Sequence, residues 1–105
     1  MLQIHGNARN ILAVNFGASK TWSSVASTSN EQTATIPGLK ATDLIMGITK
    51  PTLQAGLTVG TARVSAADTI AITFITSGAT VTPTAAEVYT AFIFRPENTL
   101  TDANA

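Results

Sequence analysis

Residues 62–74, ARVSAADTIAITF, decide how the rest of this chain is read. Ala62, Val64, Ile70, Ile72 and Phe74 put apolar side chains on both arms of a β-hairpin, and Ser65-Ala66-Ala67-Asp68 supplies the turn. Thr69-Ile70-Ala71-Ile72-Thr73-Phe74 alternates a large apolar residue with a small or hydroxylated one. That is the period of two of a strand with one well-buried face. Most other segments read as strands laid beside this hairpin.

Upstream, Ile11-Leu12-Ala13-Val14-Asn15-Phe16 is a strand candidate closed by Gly17, and a second begins near Thr21 with Trp22 and Val25 as anchors. The Ser- and Thr-rich run up to Asn30 reads as a solvated connection. Gln32-Thr33-Ala34-Thr35-Ile36 alternates and ends at Pro37-Gly38, a turn pair in which Pro presets φ and Gly tolerates φ > 0. Asp43-Leu44-Ile45-Met46-Gly47-Ile48 is apolar almost throughout, and Leu57-Thr58-Val59 follows the Gln54-Ala55-Gly56 turn. Gly60 marks a bulge or a close backbone approach. In the last strand candidate, residues 87–95, Val88, Phe92 and Phe94 share one face with Thr90, while Tyr89, Ala91 and Ile93 share the other. A strand apolar on both faces is covered on both, by a second sheet and by something else such as another subunit. Pro83 to Glu87 is the only helical competitor, one turn long. The expectation is an all-β chain: one β-sandwich or jelly-roll-like domain of six to eight short antiparallel strands. It spans residues 11–96, between an N-terminal arm (1–10) and a polar C-terminal tail (97–105).

The 105 residues suffice for one core but not two. Apolar residues make up 45%, which argues against disorder, whereas charged residues are only 11%, under half the usual ~25%. A surface so poor in charge has little electrostatic protection against self-association and points to burial against partner subunits. Net charge is zero, the pI is about 6.5, and the six basic residues stand singly, which speaks against a nucleic-acid partner. With no cysteine there is no disulfide, thiolate metal site or thiol nucleophile. Residues 1–6 lack the apolar run of a signal peptide, and no segment approaches membrane-spanning length.

His5 is the only histidine, in a polar terminus without a partner at metal-ligand spacing, and reads as inert. Asp43 and Asp68 each open a strand after a turn, where a carboxylate caps backbone N–H groups. No phosphate loop, nucleophile elbow or paired carboxylates appear, so the residues offer nothing to an enzyme, and no cofactor is expected. Three residues are candidate intersubunit or capsid contacts: Trp22, Arg63 and Tyr89. Arg63 lies in mid-strand, where a charge faces solvent, meets a partner or pairs with a carboxylate, Asp68 across the hairpin being one mate. Trp22 and Tyr89, with Phe92, would form either a binding platform or part of the core.

The runs TIPGLKATDLIMGITKP, QAGLTVGTARVSAADTIAITF and TPTAAEVYTAFIFRP, taken in order, resemble a pattern in small virion proteins of tailed bacteriophages. Its elements are Pro37-Gly38-Leu39 with Asp43, Lys50-Pro51, Ala55-Gly56-Leu57, the hairpin from Ala62, and Thr82-Pro83 through Arg95. The resemblance covers residues 33–96. Residues 1–28 match nothing in the pattern, and Ile75-Thr76-Ser77-Gly78 lacks its Asn-rich turn. The resemblance implies a non-enzymatic head component: a decoration or cement protein on the capsid surface, made in the host bacterial cytoplasm. Its partners would be the major capsid protein and two further copies in a homotrimer, with neither nucleic acid nor membrane. The alternative is a receptor- or carbohydrate-binding module of a head or tail fibre, for which Trp22 or Tyr89 would have to be exposed. Ile11–Phe16 and residues 33–36 are the edges through which β-augmentation by a neighbour would occur.

Overall fold

Six strands appear in the computed structural model, which describes residues 11–26 and 29–96: β1 (Ile11–Phe16), β2 (Ser29–Thr35), β3 (Leu44–Thr49), β4 (Leu57–Ala66), β5 (Thr69–Thr76) and β6 (Tyr89–Phe94). They form two three-stranded antiparallel sheets, ordered β1–β6–β3 and β2–β5–β4, and no helix occurs among the described residues. The all-β expectation holds. Pairing is nested: first strand with sixth, second with fifth, and third lying near fourth where the sheets meet. That winding is of jelly-roll type in six strands rather than eight. His5, the arm (1–10) and the tail (97–105) lie outside the described residues.

The two central strands carry the core. β5 turns Ile70, Ile72 and Phe74 inward, and β6 answers with Tyr89, Ala91 and Ile93; all six are essentially inaccessible. Leu12, Val14, Ile45, Ile48, Val59, Ala62 and Val64 pack around them from the flanking strands, in a sandwich-like arrangement. The ring of Phe74 meets Tyr89 edge-on at 6.5 Å between centroids, Trp22 lies within 5.1 Å of Phe74 and 5.5 Å of Tyr89, and Phe16 within 5.7 Å of Tyr89. Offset and edge contacts of this kind add about 0.5–1.5 kcal/mol each beyond area burial.

Local sequence explains most boundaries, and four differ from expectation. The hairpin turn is tighter than four residues: Ala67 and Asp68 alone make it, with Asp68 at φ 62. Asx residues tolerate that left-handed region better than other non-glycines. Leu57-Thr58-Val59 is not a separate strand but the start of the ten-residue β4, whose register shifts between Val59 and Ala62. Gly60 sits in that bulge. A Cβ there would come 2.7 Å from the Ile75 Cδ1 and 3.3 Å from the Thr73 carbonyl, so any larger residue would have to displace the tip of the Ile75 side chain. The Trp22 segment is not a strand either; its backbone contributes one isolated bridge, Val25 with Val81. The Gln32 side chain holds it as well, donating to the Ser23 carbonyl and accepting from the Ser23 N–H, both at 2.8 Å. Ser29 and Asn30, expected in a connection, begin β2 because Ile75 and Phe74 offer them a strand to pair with. Pro83 to Glu87 forms a turn and no helix.

Turns at one end of the molecule are tied by carboxylates. Asp68 accepts from the Gly38 N–H at 2.9 Å, and its own backbone bonds Ile36 and Leu39, so the hairpin tip docks on the Pro37-Gly38-Leu39 turn. Asp43, with a fully buried carboxylate, caps the Lys40 N–H as expected of it. It also accepts two bonds from the Arg95 guanidinium, at 2.9 and 2.7 Å, and Arg95 donates in addition to the Gly38 carbonyl. Arg95, after β6, is thus fastened to the turn before β3.

The Arg95 hydrogen bonds, helped by the Lys40 N–H, hold the Asp43 carboxyl below its ordinary value of 3.8. A carboxylate whose folded pKa is depressed stabilises the fold at pH above the unfolded value, and that contribution is lost as pH falls through the lower folded value. Wild-type stability therefore declines below pH ~4. Asp43→Asn, which leaves Arg95 without its counter-charge, costs about 3 kcal/mol at neutral pH and flattens that acid limb. Urea unfolding at pH 7 and pH 3, followed by the single tryptophan, measures both; equal midpoints for the two proteins at pH 7 would refute the assignment.

Candidate interaction surface

The outer faces of the two sheets differ in kind. On β2–β5–β4, Arg63 reaches across the central strand to Glu31: its Nε and Nη2 donate to the two carboxylate oxygens at 2.9 Å each. Glu31 pairs in register with Thr73, and Ala71, which pairs with both Thr33 and Arg63, is completely buried on this outward side. Of the remaining outward positions, Thr33, Thr35, Thr69 and Thr73 are hydroxylated, and Ile75, at the far end of β5, is an exposed apolar side chain. The Arg63 bonds hold the Glu31 carboxyl below its usual range. Arg63 is therefore paired within the chain and solvent-exposed. Its partner is not Asp68, because β4 places Arg63 opposite Ala71, near the middle of the sheet, while Asp68 sits at the hairpin tip.

On β1–β6–β3 nothing comparable among the described residues covers the sheet. None of its three strands contains a charged residue. Their register sets the outward side chains in three rows: Ile11–Phe94–Leu44, then Ala13–Phe92–Gly47 with the bulged Met46 beside it, then Asn15–Thr90–Thr49. The third row is polar and internally bonded, Thr90 Oγ1 donating to Asn15 Oδ1 at 2.9 Å. The first two rows are bare. Ile11, Leu44 and Met46 are each more than half exposed, and Phe92 is 40% exposed. Isolated exposed apolar residues are ordinary, but a contiguous group on one sheet face marks an interaction site. The expectation that the last strand is apolar on both sides is met, with Tyr89, Ala91 and Ile93 in the core and Phe92 and Phe94 outward.

Trp22 and Tyr89 do not lie on this surface or on any other. Trp22 is 2% exposed and Tyr89 fully buried, so neither offers a surface for an intersubunit or capsid contact, and of the three aromatics of the suggested platform only Phe92 stays exposed. What exposes an aromatic is strand parity: Phe92 sits three positions from Tyr89 and faces the other way. Trp22 Nε1 and Tyr89 Oη are buried without a hydrogen-bond partner among the described residues. The Lys20 ammonium lies 5.2 Å from the Trp22 ring centroid, a cation–π contact at the rim of the core.

Charge is used inward elsewhere too. Lys50 and Glu87, each with a side chain only 10% exposed, pair at 2.8 Å, and the Thr52 hydroxyl donates to the same carboxylate. Lys50 and Thr52 hold the Glu87 carboxyl below its ordinary value. Among the described residues no group of three His, Cys, Asp or Glu side chains comes together in a way that would hold a metal ion. Comparison with known protein families, with curated proteins and with solved structures finds no match.

Burial pushes the Tyr89 phenol up to about 12, with the nearby Glu87 charge adding to the effect. Since the chain has one tyrosine, its ultraviolet titration reads this residue alone. The folded protein ionises near pH 12 and the urea-unfolded chain near 10. A phenol whose pKa is raised by folding contributes stability that is complete below pH 10 and lost as pH climbs toward 12. Titration of the folded protein at pH ~10 would place Tyr89 at the surface instead.

Proposed function

We propose that this protein is a non-enzymatic structural component of a tailed-phage virion, a decoration or cement protein on the outside of the head. The observation that carries the reading is the outer face of β1–β6–β3, apolar and uncovered by any described residue, set against an opposite face that is mostly hydroxyls and the Arg63–Glu31 pair, with Ile75 exposed at one end. One sheet is finished for solvent and the other is left for a protein partner. In this reading Leu44, Met46 and Phe92 seat on the major capsid protein, adding buried apolar area across joints between capsomers. At about 25 cal/mol per Å² of apolar surface, such burial needs no charge complementarity. A shell that exposes its binding site only after expansion is stabilised by this ligand through mass action. Copies of the chain assemble as a homotrimer, the closed symmetry suited to a surface this poor in charge. The fibre-module alternative rested on an exposed Trp22 or Tyr89, and no observation now favours it.

Quantitative mass spectrometry of purified virions tests the reading. It expects a copy number equal to that of the major capsid protein or to a simple fraction of it fixed by the shell's symmetry axes. A few copies per particle would move the chain to a vertex or the tail, and absence from virions would end the proposal. On the molecular scale, Phe92→Asp abolishes sedimentation of the protein with purified heads while costing no more than ~1 kcal/mol of stability, the span of strand propensities.

A further inference from the structure

At the end of the molecule opposite the Asp43–Arg95 tie, one side chain is out of keeping with its surroundings. Leu53 is 93% exposed, more than any other large apolar residue described. Yet the backbone on either side of it is held firmly. Lys50 and Thr52 are bonded to Glu87, and Lys50 donates also to the Thr52 carbonyl at 3.0 Å. Beyond it, the Gln54 amide donates to the Thr82 carbonyl at 3.0 Å and accepts from the Thr84 N–H at 2.9 Å, and the Gln54 carbonyl accepts from Leu57. A leucine on a floppy loop would spend any binding energy on ordering the loop. Here the protein has already fixed it, and pre-organisation of this kind is what an anchor residue needs.

Leu53 stands between two hollows. One, of about 360 Å³, lies along the seam between β3 and β4, with Ile48 and Val59 in its wall. The other, of about 320 Å³, has Leu57, Thr58 and Ile75 in its wall, Ile75 being 42% exposed. Both open onto solvent, and each has room for a leucine side chain. Knob and hole thus occur side by side on one patch. Across it, from Pro51 to Thr58 and from Ile75 to Ala86, the sequence has no charged residue, and the two charges that buttress it, Lys50 and Glu87, neutralise each other. Two copies brought together here meet no like-charge repulsion, which is the usual obstacle to self-pairing of a surface patch.

We infer that the loop carrying Leu53 is a self-association site: Leu53 of one copy inserts beside Ile75 of a second copy. This names the contact through which the proposed homotrimer would form, and so rests on that part of the reading. The site is separate from the bare face of β1–β6–β3, which stays free for the shell.

Sedimentation velocity over a concentration series decides the matter. Leu53→Asp raises the concentration of half-assembly at least tenfold, while Phe92→Asp leaves it where the wild type has it. Because the contact is uncharged, 0.05 and 1 M NaCl give the same wild-type assembly. As a second readout, the chain lacks cysteine, so a mixture of Leu53→Cys and Ile75→Cys proteins, distinguished by mass, forms a mixed disulfide-linked pair under mild oxidation. An assembled Leu53→Asp protein, or a mixture without the mixed pair, overturns the Leu53 contact and leaves the trimer standing. A wild type that stays monomeric at every concentration overturns both, whatever the virion copy number proves to be.

Discussion

Phe74 and Tyr89 face each other from the central strands of the two sheets, and the rest of the molecule is arranged around that meeting. Each sheet has three strands, so its central strand is the only one hydrogen-bonded on both edges. Placing Phe74 and Tyr89 there stacks the two best-held backbones over each other. Trp22 closes the cluster from a segment that is not in either sheet, held by the Gln32 amide, the Val25–Val81 bridge and a hydroxyl contact between Ser24 and Thr82. Its indole is in place because three weak ties act together, each worth ~1 kcal/mol net. Gly17 makes room for this crossing: it adopts φ 94, and a Cβ there would stand 2.9 Å from the Glu87 carbonyl.

Charge has a complementary job. Asp43 with Arg95, Lys50 with Glu87 and Glu31 with Arg63 are internal pairs, and Asp68 is engaged by Gly38. The first two pairs fasten segments far apart in sequence at opposite ends of the sandwich. The third spreads over a sheet face and keeps it wet. Seven of the twelve charged side chains are used this way, and none of the twelve lies on β1, β3 or β6, whose outer face is correspondingly plain.

Strand positions were legible wherever alternation was local. β1 could be bounded and the start of β5 placed from their own residues, though β5 runs two residues past Phe74, and Gly60 announced its bulge, because a strand with one buried face writes its period into the sequence. Arg63 could be read as facing away from Ala62 and Val64 for the same reason. Its mate could not, since pairing across a central strand depends on the register of β2 with β5, which no local pattern states. Trp22 and Tyr89 misled for a related cause: composition makes an aromatic equally good as core or platform, and only the partner sheet decides. Phe92 was legible only as lying on the opposite face from Tyr89, and its outward position emerged when Ile11, Leu44 and Met46 arrived beside it from strands far away in sequence. Leu53 gave no signal at all, being a single apolar residue in a loop. Asp43, Lys50, Glu87 and Arg95, met in the sequence as parts of short motifs, turn out to be ties of the scaffold.

Nested pairing also fixes the order in which the molecule can be made. In the sheet β1–β6–β3 the first and third strands touch only through β6, the last to be synthesised. Until β6 is available, β1 and β3 have no partner in their own sheet, whereas β2, β5 and β4 can already close by way of the local hairpin. Half of the sandwich therefore waits, with its apolar strands unpaired, until β6 has been made, and a chain stopped before Tyr89 would leave two hydrophobic edges seeking a neighbour.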